Sequence, residues 1–219
     1  GVGPSSAVAG TPAGGTLLKA AAALGTADVI RMGTGTTYRH MVPSVQSLTI
    51  DTAYTRDNTG GTADAPVGVG IRVQDSRYGI IRDVQIWRQF VGILTETYAD
   101  DIYLHNVKVD DSGIPIVKAA PAANALGIFL KGGTPFLEQV RCTNDWATCA
   151  ATYRARAGIR IWASTRISCC EFNGFEYSGI IDPSSGTTSN IFINDTFFDI
   201  SLTAALRITP TSTGIVKTV

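Results

Sequence analysis

The sequence has little charge. Only 16% of its 219 residues are Asp, Glu, Lys or Arg, and 18 basic side chains balance 18 acidic ones. A protein that binds nucleic acid or an anionic membrane through charge carries a basic surplus, so this balance argues against both partners. Histidine is scarce, with only His40 and His105. The four cysteines, Cys142, Cys149, Cys169 and Cys170, make no Cys-x-x-Cys pair and lie far from either histidine, which argues against a zinc site. They are expected as buried free thiols, with a disulfide from Cys142 to Cys149 or Cys169 as the alternative. No apolar run reaches the length that spans a bilayer. Gly1–Gly15 shows neither a basic n-region nor an apolar h-region, so no signal peptide is read there. The chain also begins without Met, as a processed chain or a fragment does. No Gly-x-Ser-x-Gly elbow and no Walker spacing occur.

What is present is apolar and rich in glycine: 44% hydrophobic residues and 23 glycines. That composition argues against disorder, and the length suits one domain with a sizeable core. A spaced triplet recurs, apolar-x-x-apolar-x-apolar. It reads Val45, Leu48, Ile50; Ile81, Val84, Ile86; Leu104, Val107, Val109; Leu137, Val140, Cys142; Ile167, Cys170, Phe172; and Ile193, Thr196, Phe198. The alternation at the end of each copy is that of a strand. A second pattern precedes most copies: a glycine and then an apolar strand, at Gly70, Gly92, Gly127, Gly158 and Gly179, continued without the glycine by Ala205–Ile208. Two short strands per unit describe one coil of a parallel solenoid, whose coils stack like residues over like and close a continuous core. A β-sandwich is the competing architecture, but it does not ordinarily repeat one triplet six times. The variable spacing places insertions at turns, at Thr52–Val67, Asp110–Ala125 and Thr143–Ala157. Residues 1–14 read as a flexible arm and 15–219 as the β-domain. Within it, 16–24 has Thr16 as an N-cap, helix-favouring Ala and Leu, and Gly25 as a stop, and predicts a short capping helix. The coils begin at about residue 27.

The run Ala27–Met32, followed by Gly33-Thr34-Gly35-Thr36-Thr37-Tyr38, resembles the entry to the first coil in the pectate-lyase superfamily of right-handed parallel β-helices. Asp101-Ile102-Tyr103-Leu104-His105-Asn106-Val107 and Ser189–Asp195 resemble coil units of that family. The resemblance covers about residues 16–219. It implies an all-β, single-stranded right-handed parallel β-helix with a short N-terminal capping helix. Within the superfamily the chain looks most like bacteriophage tailspike and fibre domains. That likeness implies a virion protein, a homotrimer, contacts with other virion proteins through the N-terminal arm or the C-terminal end, and adhesion to a host surface polysaccharide, with or without its cleavage. Two alternatives stand beside it: a purely structural virion component, such as a capsid decoration or baseplate spike, and a polysaccharide lyase or hydrolase. The family's Trp-Ile-Asp-His phrase would fall near Ile86-Trp87-Arg88-Gln89, where the Asp-His is absent.

Glycoside hydrolysis needs two carboxyls, about 5 Å apart for retention and about 6.5–9.5 Å for inversion. Neighbouring coils of a solenoid lie about 4.8 Å apart, so acids on successive coils can pair. The candidates are Glu96, Asp100, Asp101, Asp110, Asp111 and Glu138, with Asp75, Asp83 and Asp145 nearby in the repeat. Asp also favours turns, so each can equally be a solvated turn residue. No cofactor is implied. Calcium held by Asp100-Asp101 or Asp110-Asp111 with turn carbonyls is the one metal site the spacing admits. His105 lies on a coil strand, with either face open to it. The aromatic residues Trp87, Tyr98, Trp146, Tyr153 and Trp162, with Arg88, are candidates for a sugar-stacking platform or a subunit interface.

Overall fold

Each apolar triplet lies on a strand that bends once. Ser47, Asp83, Asn106, Gln139, Cys169 and Asp195 occupy the same place in six successive repeats, and each has φ between 45° and 55°. One left-handed residue between the first two apolar positions turns the chain, so that side chains three apart both reach the core. That is why the spacing is two residues and then one. Asn and Asp tolerate this conformation best, and they hold three of the six places. Asn106 Nδ2 donates to Asp83 Oδ1 at 2.8 Å, tying one bend to the next.

The computed structural model describes residues 16–19, 27–33, 40–51, 61–62, 65–66, 68–87, 90–110, 126–144, 157–183, 189–201 and 203–209. Among these there is no helix. The chain alternates between two parallel sheets, one of ten strands and one of seven, and each return pairs with the strand laid down one repeat earlier. This is an all-β, solenoid-like arrangement. In the first sheet, Ser44–Asp51, Ile80–Trp87 and Tyr103–Asp110 are continuous strands. Later repeats split at the bend, as in Phe136–Glu138 and Arg141–Thr143. The register stacks Val45, Ile81, Leu104, Leu137, Ile167 and Ile193 in one column. It stacks Ile50, Ile86, Val109, Cys142, Phe172 and Phe198 in another. Most of these side chains are fully buried, and each buried Ile or Leu contributes about 2 kcal/mol.

The second sheet stacks Ile71, Ile93, Ile128 and Ile159. The glycines before them are there for close approach. A Cβ on Gly127 would stand 2.4 Å from the Gly158 carbonyl oxygen and 3.1 Å from Cys142 Sγ. The glycine column ends one repeat earlier than the spacing predicts. Gly179 pairs with Ile159, so the position after Gly158 belongs to the buried Ser178.

The capping helix expected over 16–24 does not include its first four residues. Thr16–Lys19 is a strand, paired in parallel with Leu48–Asp51. Local helix preference gives way to a backbone partner that completes the sheet. Residues 20–26 lie outside the described residues, as do the 1–14 arm and most of the three expected insertions. Cys142 and Cys170 are buried free thiols as expected, but Cys169 is free and exposed, because it sits on the bend. The Cys142–Cys169 disulfide therefore does not form; Cys149 lies outside the described residues.

Candidate functional site

Side chains that alternate with the core columns line up on the outside of the first sheet. The position before the first apolar residue of each triplet forms one outer column: Ser44, Ile80, Tyr103, Phe136, Arg166, Phe192. Two residues further along lies a second: Gln46, Arg82, His105, Glu138, Ser168, Asn194. Column neighbours are about 4.8 Å apart. The repeat therefore places three aromatic rings and a guanidinium in a row, with polar groups beside them.

The row has internal order. The Tyr103 and His105 rings lie nearly parallel, 13° apart in plane, with centroids 5.7 Å apart. Glu138, on the next coil, holds both. The Tyr103 hydroxyl donates to Glu138 Oε2, and His105 Nδ1 lies 3.2 Å from the same oxygen. The Tyr103 hydrogen bond, and secondarily the charge of His105, keep the Glu138 carboxyl below the usual carboxylate range. The same hydrogen bond, with some burial, pushes the Tyr103 hydroxyl above its ordinary value. Arg166 lies between Phe136 and Phe192, its guanidinium carbon 5.8 Å and 5.6 Å from their ring centroids.

Beside this row is a depression of about 210 Å³, walled by Phe136, Arg166, Phe192, Asp101, Ser164 and Asn190. Asp101 reaches it from a corner residue with φ of 51°, two positions before Tyr103. The Asp101 N–H donates to Thr134 Oγ1 at 3.1 Å, and Thr134 Oγ1 lies 2.9 Å from Asp101 Oδ1. The depression thus offers apolar ring faces, a cation and hydrogen-bonding groups of both kinds.

Of the acids singled out by sequence, Asp101 and Glu138 come to this face. The others do not. Glu96 follows a strand of the second sheet and holds Arg72 Nη1 at 2.6 Å and Lys131 Nζ at 3.3 Å. Asp110, at the far end of its strand, accepts from Gln85 at 2.7 Å and Thr143 at 2.8 Å, with Lys108 Nζ at 3.2 Å. Asp100 lies 2.7 Å from Thr134 Oγ1 and 3.8 Å from Arg77 Nε. Asp75 is fully buried, and Asp83 serves the bend ladder. Asp111, Asp145, Arg88, Trp146 and Tyr153 lie outside the described residues. Trp162 packs edge-on against Phe129 at 4.9 Å and donates to Asp182 at 2.9 Å, so it braces the second sheet. Trp87 is half-buried in the column of Asp51 and Asp110, while Tyr98 is exposed on a turn away from the row. Among the described residues no three His, Cys, Asp or Glu side chains converge as metal ligands would.

Sequence reasoning passed over Phe136, Arg166 and Phe192 as site residues, and read Tyr103 only as part of a coil phrase. The signal was present. Reading each triplet one position upstream gives the outer column directly.

No family model, curated protein or solved structure matches this chain.

Proposed function

We propose that this chain is a saccharide-binding β-helix whose contact surface is the outer face of its larger sheet. One observation carries the reading: Tyr103, Phe136, Arg166 and Phe192 stand in register beside a depression rimmed by Asp101, Ser164 and Asn190. Ring faces take the C–H side of a sugar, and carboxylate, hydroxyl and amide groups take its hydroxyls. The depression is smaller than an ordinary small-molecule pocket, and it lies open along a row of stacked coils. A polymer laid across the coils, one ring per subsite, suits that shape better than an enclosed ligand.

The winding is right-handed in this proposal, as parallel crossover connections nearly always are. The proposal also takes up the spike or fibre role implied by the resemblance: a virion protein, trimeric, adhering to a host surface polysaccharide. The state of Glu138 argues against its serving as the proton donor of a glycosidase. A glycosidase acid must hold its proton near neutral pH, and the Tyr103 hydrogen bond drives Glu138 the other way.

The test is a glycan array probed with the full chain and with a Phe136→Ala/Phe192→Ala double variant of unchanged circular dichroism. Binding by the parent that falls about tenfold or more in the variant supports the site. Binding that the variant leaves unchanged, or no binding to any glycan, overturns it. Light scattering tests the assembly separately. A trimer supports the spike role, and a monomer removes that role while leaving the saccharide surface.

A further inference from the structure

Among the described residues, Arg166 is a cation without a counter-charge. On the same face, Arg82 lies 3.5 Å from Asp83, Lys108 3.2 Å from Asp110 and Arg141 3.1 Å from Glu171. Arg166 has no carboxylate within ion-pair distance among the described residues. Its place is nevertheless defined. Phe136 and Phe192, one coil before and one coil after, flank its guanidinium, and its exposed side chain lines the 210 Å³ depression. Flanking rings hold a guanidinium without consuming its N–H donors, because they meet its face while the donors lie in its plane.

We infer that the depression seats a saccharide bearing an oxyanion, and that Arg166 receives that oxyanion. The inference rests on the saccharide reading above and specifies the ligand's charge. A planar guanidinium fork meets a carboxylate or phosphate with two parallel hydrogen bonds, which makes it selective as well as attractive. The chain has zero net charge, so attraction for an anion has to be local. Asp101, on the same wall, sets the orientation. It repels the oxyanion and accepts from sugar hydroxyls, so the charged substituent points to Arg166 and the hydroxylated edge to Asp101. The shared chemistry is the oxyanion, and a uronate or a phosphorylated sugar could each supply it.

The experiment compares glucuronate, glucose 6-phosphate and glucose as ligands of the full chain, by ligand-observed NMR and calorimetry. Variants Arg166→Gln and Phe192→Ala accompany the parent. Arg166 is exposed, so Arg166→Gln should melt with the parent, and a thermal scan checks this. The expected result is that at least one charged sugar binds about tenfold or more tighter than glucose. Arg166→Gln should abolish that preference, while Phe192→Ala should weaken all the sugars together. Preference for glucuronate assigns a carboxylate as the natural oxyanion, and preference for glucose 6-phosphate assigns a phosphate. Equal binding of all three, unchanged in Arg166→Gln, overturns the oxyanion seat and leaves the saccharide surface standing. A charged-sugar preference that survives Arg166→Gln also overturns it. Failure of all three to bind overturns the oxyanion seat, while the glycan array decides the saccharide surface separately.

Discussion

Tyr103 and Glu138 sit on successive coils, and the Tyr103 hydroxyl donates to a carboxylate oxygen that His105 also approaches, at 3.2 Å. One carboxylate thereby tethers two ring-bearing side chains. Without that anchor the rings would be free to rotate out of the row.

Replacing Tyr103 with Phe keeps the ring and removes the donor. The Glu138 carboxyl should then titrate closer to its ordinary value, because its largest depressing influence is gone. A carbon-detected NMR titration of the Glu138 side chain reads this directly. A Glu138 that titrates identically in parent and Tyr103→Phe would show that the hydrogen bond is absent in solution.

Asp28 should set the onset of acid unfolding. Burial favours its protonated form, but Arg72 Nε at 2.7 Å and Arg31 Nη2 at 2.6 Å outweigh that and lower the carboxyl below its ordinary value. A carboxyl lowered on folding stabilises the fold fully above its unfolded value, about 4. That stabilisation is lost as pH falls through the lower folded value. Asp28→Asn should therefore cost about 2 kcal/mol at neutral pH, where it removes a charged partner of the nearly buried Arg72 and leaves Glu96 to hold it, and progressively less below about pH 4. Urea melts at two pH values measure the difference, and equal losses at both would rule Asp28 out.

The three described thiols should differ sharply in reactivity. Burial pushes Cys170 up to about 11 and raises Cys142 well above the ordinary thiol value, while Cys169 is exposed on its bend. Thiolate is the reactive form, so iodoacetamide near pH 8 should label Cys169 and spare Cys142 and Cys170 until the chain unfolds. Peptide mass spectrometry distinguishes the sites. Equal labelling of all three in the folded chain would place Cys142 and Cys170 outside the core.

Two substitutions test the stacking itself. Gly127→Ala places a methyl group 2.4 Å from a carbonyl of the next coil, and the sheets must part locally. A loss of about 2 kcal/mol is expected in a thermal melt, within the range known for overpacked cores. Val107, 1% exposed, stands between Leu104 and Val109 on one bent strand. Val107→Asp buries a charge with no partner and should prevent folding. A soluble, cooperatively melting Val107→Asp protein would show that the inward register is wrong.

The core was open to sequence reading because it is periodic. Val45, Ile81, Leu104 and Leu137 can be aligned by eye, and the structure pairs them in that order. The bend at Ser47 and its five successors was written in the same spacing, although its left-handed conformation was not. Thr16–Lys19 was misread because alanine and leucine speak for a helix locally, while the strand partner at Leu48–Asp51 lies some thirty residues on. Gly179 was misread because a glycine one place out of column looks like one in column until Ile159 is seen opposite it. The site was half legible. Acids such as Asp101 and Glu138 advertise chemistry by type, whereas Phe136, Arg166 and Phe192 matter through their alignment across repeats far apart in the chain.

The outer column also works as a ruler. Each coil contributes one side chain to it, and each coil touches chiefly the one before and the one after. Duplicating a coil within the gene would therefore lengthen the row by one position, about 4.8 Å, without disturbing the positions already there. Deleting one would shorten it equally. Under the saccharide-binding proposal, the length of polymer gripped becomes an inherited count of coils, open to change by recombination in whole steps, while the kind of sugar gripped at each step changes by single substitutions along the row.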